Sequence, residues 1–265
     1  MPNQNKKPSM TNQSTEKAMA IIELLAKAHS PMRLRDISNA LNLNVSTTLR
    51  FLASLQNCHY VEQERDSQRY YLTYKICQVA SRVSRHMELQ TITHPYLIAL
   101  SDKFQESLCV SVERDMTMVY IDVATGPNRT LMSMQSIGNT SPMHCTGNGK
   151  LLLLNYTPEQ LDELIRKKGL TRFTANTITT RQELLAELEQ IRARGYAYDN
   201  EESEEGVRCL ACPIRDYTGD IVAGMSVTGP ASRMTDEKIN QILDEMMKTT
   251  NRISEALGYD SNLNN

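Results

Sequence analysis

Between residues 14 and 74 the chain carries three short apolar stripes at helical spacing, followed by two β-like segments. A stretch of about 60 residues patterned in this way has few means of burying a core, and a small helical unit closed by a hairpin is one of them. The first stripe is Ala18, Ile21, Ile22, Leu25 and Ala28, with Ser14 or Thr15 placed to cap it and Ser30-Pro31 to end it. The second is Leu34, Ile37 and Leu41, in LRDISNAL. The turn NLN follows, with Asn44 placed to cap the next helix, NVSTTLRFLASL. There Val45, Leu49, Leu52 and Leu55 recur at i, i+4, i+7 and i+10 and are expected to face the core. YVEQ (60–63) and RYYLTY (69–74) then read as strands on either side of the polar turn ERDSQ. Helix, helix-turn-helix and hairpin together predict a winged helix-turn-helix over residues 14–76.

That layout gives the third helix a task. Short hydroxyls and an arginine at its first turns suit close approach to phosphates and base edges. The candidate DNA-contacting residues are Arg35, Ser46, Thr47, Thr48, Arg50 and Arg69. Charge agrees with this placement. Residues 1–76 hold ten Lys/Arg against six Asp/Glu, whereas the whole chain sums to −2, so the remainder is acidic.

Downstream, residues 77–93 read as a linker helix, and the proline of THPYLIAL is expected to start a new helix that ends near Phe104. SLCVSVERD and MVYIDVA form a hairpin candidate. TLMSMQSIGNTSPMHCTGNGKLLLLN runs from a strand through a Gly/Asn/Pro loop into a helix near Gly147. TPEQLDELIRKKG and TRQELLAELEQIRARG each pair a threonine cap with a terminal glycine. YAYDNEESEEGVRCLACPIRD and GDIVAGMSVTGP follow as strands, and a long helix closes the chain. Strands with flanking helices predict an α+β domain over residues 94–265.

These segments resemble one family. The helix-turn-helix, then GNTSPMHCTGNGKLLLL, then YAYDNEESEEGVRCLACPIRDYTGDIVAGMSVTGP, are similar to the IclR family of bacterial transcription regulators over about residues 14 to 257. The resemblance implies a winged helix that binds double-stranded operator DNA, a C-terminal domain that binds a small metabolite such as a carboxylate, and a dimer or dimer of dimers. Carried onto this chain, it implies an effector site at Thr146, Gly147, Asn148, Asp199, Cys209, Ser226 and Thr228, with Met134 and Ile137 beside it. Two physical arguments agree with it. A helix N-terminus offers unpaired N–H groups to a carboxylate, and Ser226 and Thr228, two apart in a strand, share one face.

Other chemistries fare worse. GNGK (147–150) fails as a phosphate loop, because His144 stands where a glycine is needed and Leu151 where a Ser or Thr is. Cys209 and Cys212 make a lone CxxC, and residues i and i+3 of a strand point to opposite faces, which argues against zinc. His144 and Cys145 are adjacent and do not form a catalytic pair, and no GxSxG elbow is present. In the acidic run 199–206, Asp199 alone is expected to turn inward. No cofactor, metal or catalytic residue is therefore assigned. An enzyme with an N-terminal assembly module remains the alternative. No run of 18 apolar residues is present, the N-terminus lacks a secretion-signal core, and residues 1–13 read as a disordered tail. With six scattered cysteines, these features predict a cytoplasmic protein with reduced thiols.

Overall fold

The computed structural model describes residues 12–28, 30–84, 89–126 and 136–260. Contacts divide the chain into two units, residues 1–87 and 88–265. The expected tail up to residue 11, Met134 and the junction 85–88 lie outside the described residues.

The first unit opens with α1 (Gln13–Lys27), which starts before the expected caps. The Asn12 side chain accepts the Ser14 N–H at 2.9 Å, so Asn12 is the cap instead of Ser14 or Thr15. Then come α2 (Leu34–Ala40), α3 (Val45–Asn57), and an antiparallel hairpin of β1 (Val61–Gln63) and β2 (Tyr70–Leu72). Asn44 precedes α3 but its side chain makes no capping bond. Ile21, Leu25, Ile37, Leu52, Leu55, Val61 and Tyr70 make the buried core.

The face of α3 differs from expectation. Val45 and Leu49 are each 46 % exposed, while Thr48 is fully buried. Its hydroxyl donates to the Asn44 carbonyl at 3.1 Å, and the Ser38 hydroxyl of α2 donates to it at 3.0 Å. With its polar atom satisfied twice, threonine packs where a leucine is otherwise expected. The inward side is thus turned toward Thr48, Leu52 and Leu55, and Val45 and Leu49 rotate outward.

Helix α4 spans Lys75–Ser84. The next helix, α5 (Leu89–Phe104), passes through Pro95 without ending there. The expected break at THPYL is therefore absent. Proline removes one helical hydrogen bond, at about 3 kcal/mol in a helix interior. The buried residues Thr93, Leu97, Leu100 and Phe104 anchor α5 on both sides of that defect.

The second unit is built on a six-stranded antiparallel sheet in the order β5-β4-β3-β8-β7-β6. Its strands are β3 (Ser107–Arg114), β4 (Thr117–Ala124), β5 (Thr140–Ser141), β6 (Ala197–Asn200), β7 (Val207–Arg215) and β8 (Ile221–Pro230). Asp115 and Met116 join β3 to β4 with φ of 51° and 60°, as a two-residue mirror-image hairpin turn requires. One face packs on α5 and on α9 (Asp236–Ala256) through Leu108, Val110, Leu210, Met225, Val227, Ile242 and Met246. The opposite face carries α6 (Gly147–Leu152), α7 (Pro158–Lys168) and α8 (Arg181–Arg194). Both α7 and α8 start with a reciprocal capping box and stop at glycines of positive φ, Gly169 and Gly195. Cys209 and Cys212 fall on opposite faces of β7, as the strand period demands.

Candidate functional site

In the first unit, the expected DNA-contacting residues divide into three groups. Arg35, Ser46 and Arg50 are exposed, Ser46 and Arg50 one helical turn apart on α3. Thr47 is half-buried on a flank. Thr48 is withdrawn from any surface by the Ser38–Thr48 bridge. Arg69 is half-buried at the base of the hairpin, where its guanidinium donates to the Pro31 carbonyl at 3.2 Å, so it braces the wing. Arg65, exposed in the turn of the wing, and Arg33, exposed at the start of α2, are basic residues that the sequence pattern passed over.

In the second unit, α6 lies across the inner face of the sheet. Two glycines permit the close approach. A Cβ on Gly147 would stand 2.9 Å from the Ala211 methyl, and one on Gly224 would stand 2.5 Å from Asn148 Oδ1. Beside the start of α6 is a cavity of about 100 Å³, several times the roughly 10–15 Å³ that one water needs. Thr146, Gly147, Asn148, Asp199, Cys209, Ser226 and Thr228 all line it. Their strands place them there: Cys209 pairs with Thr228 and Cys109 with Ser226 in the ladder, and all four sit on the face turned to α6. Ile137 is not part of this lining. The Asn139 N–H donates to the Ser136 carbonyl at 3.0 Å, and that turn carries Ile137 outward to 60 % exposure.

The lining sets polar groups among the apolar Met118, Pro142, Phe173 and Val207; it holds two acids, Asp199 and Glu204, and no Lys or Arg. Asn148 Nδ2 donates to the hydroxyls of Ser111 at 3.2 Å and Ser226 at 3.1 Å, and Cys109 Sγ lies 3.1 Å from the latter. The Oδ1 of Asn148 is buried without a partner. Thr146 stands at the cap position of α6 yet turns its hydroxyl to the Pro142 carbonyl at 2.8 Å, leaving the first N–H groups of the helix uncapped by side chains. Burial pushes the Cys109 thiol up to about 11 and those of Cys145 and Cys209 up to about 12, so these groups stay neutral. Burial raises Tyr120 as well.

Asp199 is tied into the loop that follows β6. Its Oδ1 accepts the N–H groups of Glu202 at 2.8 Å and Ser203 at 3.2 Å, and its Oδ2 accepts the Ser203 hydroxyl. Burial raises its pKa, and these hydrogen bonds oppose the rise. Nor is Asp199 the sole inward acid of the run: Glu202 is 7 % exposed and accepts from Lys150 Nζ at 2.5 Å. Lys150 is wholly buried and also reaches Glu187 at 3.5 Å. Nothing in GNGKLLLL marks Lys150 as buried, and only the fold reveals the acid that meets it. Among the described residues, no cluster of His, Cys, Asp and Glu has the makings of a metal site. Among the same residues, no helix is long and apolar enough to cross a membrane.

Comparisons with known proteins match both units. The family model of the IclR helix-turn-helix domain covers residues 14–65, and that of the bacterial transcriptional regulator IclR C-terminal domain covers residues 81–255. The chain is 31 % identical over 246 residues to the HTH-type transcriptional repressor AllR of Salmonella typhimurium, covering 93 % of this chain and 90 % of that one. It is 29 % identical to the HTH-type transcriptional regulator KdgR of Escherichia coli, with 93 % of each chain covered. The crystal structure of the Thermotoga maritima IclR superposes with a TM-score of 0.62 at 31 % identity, over 93 % of this chain and 99 % of that one.

Proposed function

Because this chain belongs to the IclR family and is a DNA-binding transcription regulator with a C-terminal effector-binding domain, we propose which residues do the work and which metabolite class they fit. Arg50 and Ser46 on α3 meet operator DNA, with Arg35 at the edge of the same unit. The effector is a small carboxylate in the cavity beside α6. Its anionic end accepts from the N–H groups of Gly147 and Asn148, and its other oxygens meet the hydroxyls of Ser226 and Thr228. With no cation in the lining, amides and hydroxyls are the donors a carboxylate would find there.

The observation that supports this reading is convergence. Seven positions scattered from 146 to 228 line one cavity, and the helix that opens onto it has N–H groups left uncapped by side chains. The protein acts as a repressor in the cytoplasm, and as a homodimer or dimer of dimers, since two winged helices address the two half-sites of a pseudo-palindrome. The effector shifts operator affinity by binding two arrangements of that oligomer unequally.

A thermal-shift screen of small carboxylates followed by calorimetric titration tests the site. Ser226→Ala should cost about 1–3 kcal/mol of effector affinity by leaving buried partners unpaired. It should leave operator affinity without effector unchanged in a gel shift on DNA upstream of its own gene. Unaltered effector affinity would place the pocket elsewhere.

A further inference from the structure

Helix α3 presents two exposed rows side by side. Val45, Leu49 and Ala53 form one, and Ser46, Arg50 and Ser54 the other; all six residues are exposed. Within each row the spacing is i, i+4, i+8, and the rows differ by about 100° of helix rotation. The core-facing residues Thr48, Leu52 and Leu55 are separate from both. A face evolved only for water carries Lys and Glu on its exposed turns. This helix has a single charged residue, Arg50, and no acid at all.

We propose that Val45 and Leu49 are thymine-reading residues, packing their methyl groups against the C5-methyl groups of the DNA major groove. The inference rests on the regulator reading above and narrows it to a base preference. The thymine methyl is the apolar feature of the major-groove edge, and aliphatic side chains are its natural contact. Continuity carries the choice of occupant. The apolar row adjoins the row of Ser46 and Arg50, so anything that covers one covers the other. An apolar protein surface laid on both would bury the Arg50 guanidinium without a counter-charge. DNA supplies phosphates to Arg50 and methyl groups to Val45 and Leu49 within one footprint. The operator half-site then holds a thymine next to the base or phosphate that Arg50 meets.

The test uses the full-length protein and duplexes selected from a random pool for tight binding. Each thymine of the selected site is replaced in turn by deoxyuridine, which removes only the methyl group. At one or two positions the affinity of the wild type should fall about fourfold, the equivalent of the ~0.8 kcal/mol for one buried methyl-sized group. Leu49→Ala or Val45→Ala should lose a similar factor on the thymine duplex and no longer distinguish uracil there. Both side chains are half-exposed, so the melting transition of each variant should match that of the wild type. Uracil tolerated everywhere by the wild type, or full thymine preference in both variants, overturns the proposal while leaving DNA binding intact. A change of sedimenting mass in the variants without a change in thymine preference also overturns it, and marks the row as a contact between copies. If no duplex is preferred at all, the inference falls together with the regulator reading.

Discussion

The two units dispose of their polar side chains in opposite directions. In the first, α3 sends Ser46 and Arg50 outward and draws only Thr48 in, where two hydroxyl bonds satisfy it. In the second, Asn148, Asp199, Ser226 and Thr228 all turn inward around a cavity, and Lys150 and Glu202 form a buried ion pair behind them. A surface that reads a long, charged polymer needs little beneath it beyond a stiff platform. A site that takes a small molecule must hold polar groups away from water, and each of those groups then needs a partner. The first unit is therefore tuned by what it displays, and the second by what it conceals.

The buried pair offers the largest test of that contrast. Lys150→Met strips the buried Glu202 of its counter-ion, and the C-terminal transition in urea should lose about 3–5 kcal/mol. Adding Glu202→Gln should restore much of it. An unchanged transition in the single variant would show that the second unit does not depend on its concealed polar groups. Next comes Arg50→Ala on the opposite unit. It should cost about 1–3 kcal/mol of operator affinity by fluorescence anisotropy, with no change in the melting curve. A loss confined to one base position marks a guanine contact, whereas a uniform loss with a shallower salt dependence marks a phosphate. A smaller effect is expected of Thr48→Val, which keeps the shape and removes the hydroxyl bridge to Ser38. About 1 kcal/mol of stability in the first unit should go, measured by denaturant unfolding. DNA affinity measured well below the transition should hold. If Thr48→Val weakened binding as Arg50→Ala does, without loss of stability, the separation of displayed from concealed groups would collapse.

The gentlest probe is chemical. Cys58 and Cys77, in the first unit, are exposed, while Cys109, Cys145, Cys209 and Cys212 are buried. Burial raises the pKa of all four buried thiols, so at pH 8 a thiol near pKa 11 is thiolate about once in a thousand molecules. Iodoacetamide at pH 8 should label Cys58 and Cys77 and spare the other four by peptide mass spectrometry. The protection should weaken as pH rises toward those raised values. Rapid labelling of Cys109 or Cys209 would mean that the cavity opens to solvent far more than its geometry indicates.

Much of this was legible in the sequence, and what escaped has a physical reason. Capping threonines and terminal glycines announced α7 and α8, because caps act within a few residues. The order of elements in the first unit was likewise local. The orientation of α3 was not, since a buried threonine reads as polar until Ser38, on another helix, is seen to satisfy it. Pro95 misled for the same reason: the local rule ends a helix there, and packing on the sheet overrides it. In the pocket, the residues carried over from the resemblance came together except Ile137, which its turn carries away, and Met134, outside the described residues. Lys150 was hidden because its partner is 52 residues further along the chain.

Strand β8 sets a rule for how such a protein can change. Its odd positions Ala223, Met225 and Val227 belong to the core shared with α5 and α9, and its even positions Ser226 and Thr228 line the cavity. Two messages are thus interleaved in one strand, one for folding and, under the effector site proposed above, one for ligand choice. Replacing an even residue edits the second message and leaves the first intact, so a lineage can move to a new metabolite by single substitutions. Inserting or deleting one residue exchanges the two messages over the rest of the strand, putting hydroxyls in the core and methionine in the pocket. New specificities in this scaffold should therefore arise by substitution, while changes of length are confined to the loops at the ends of the strand.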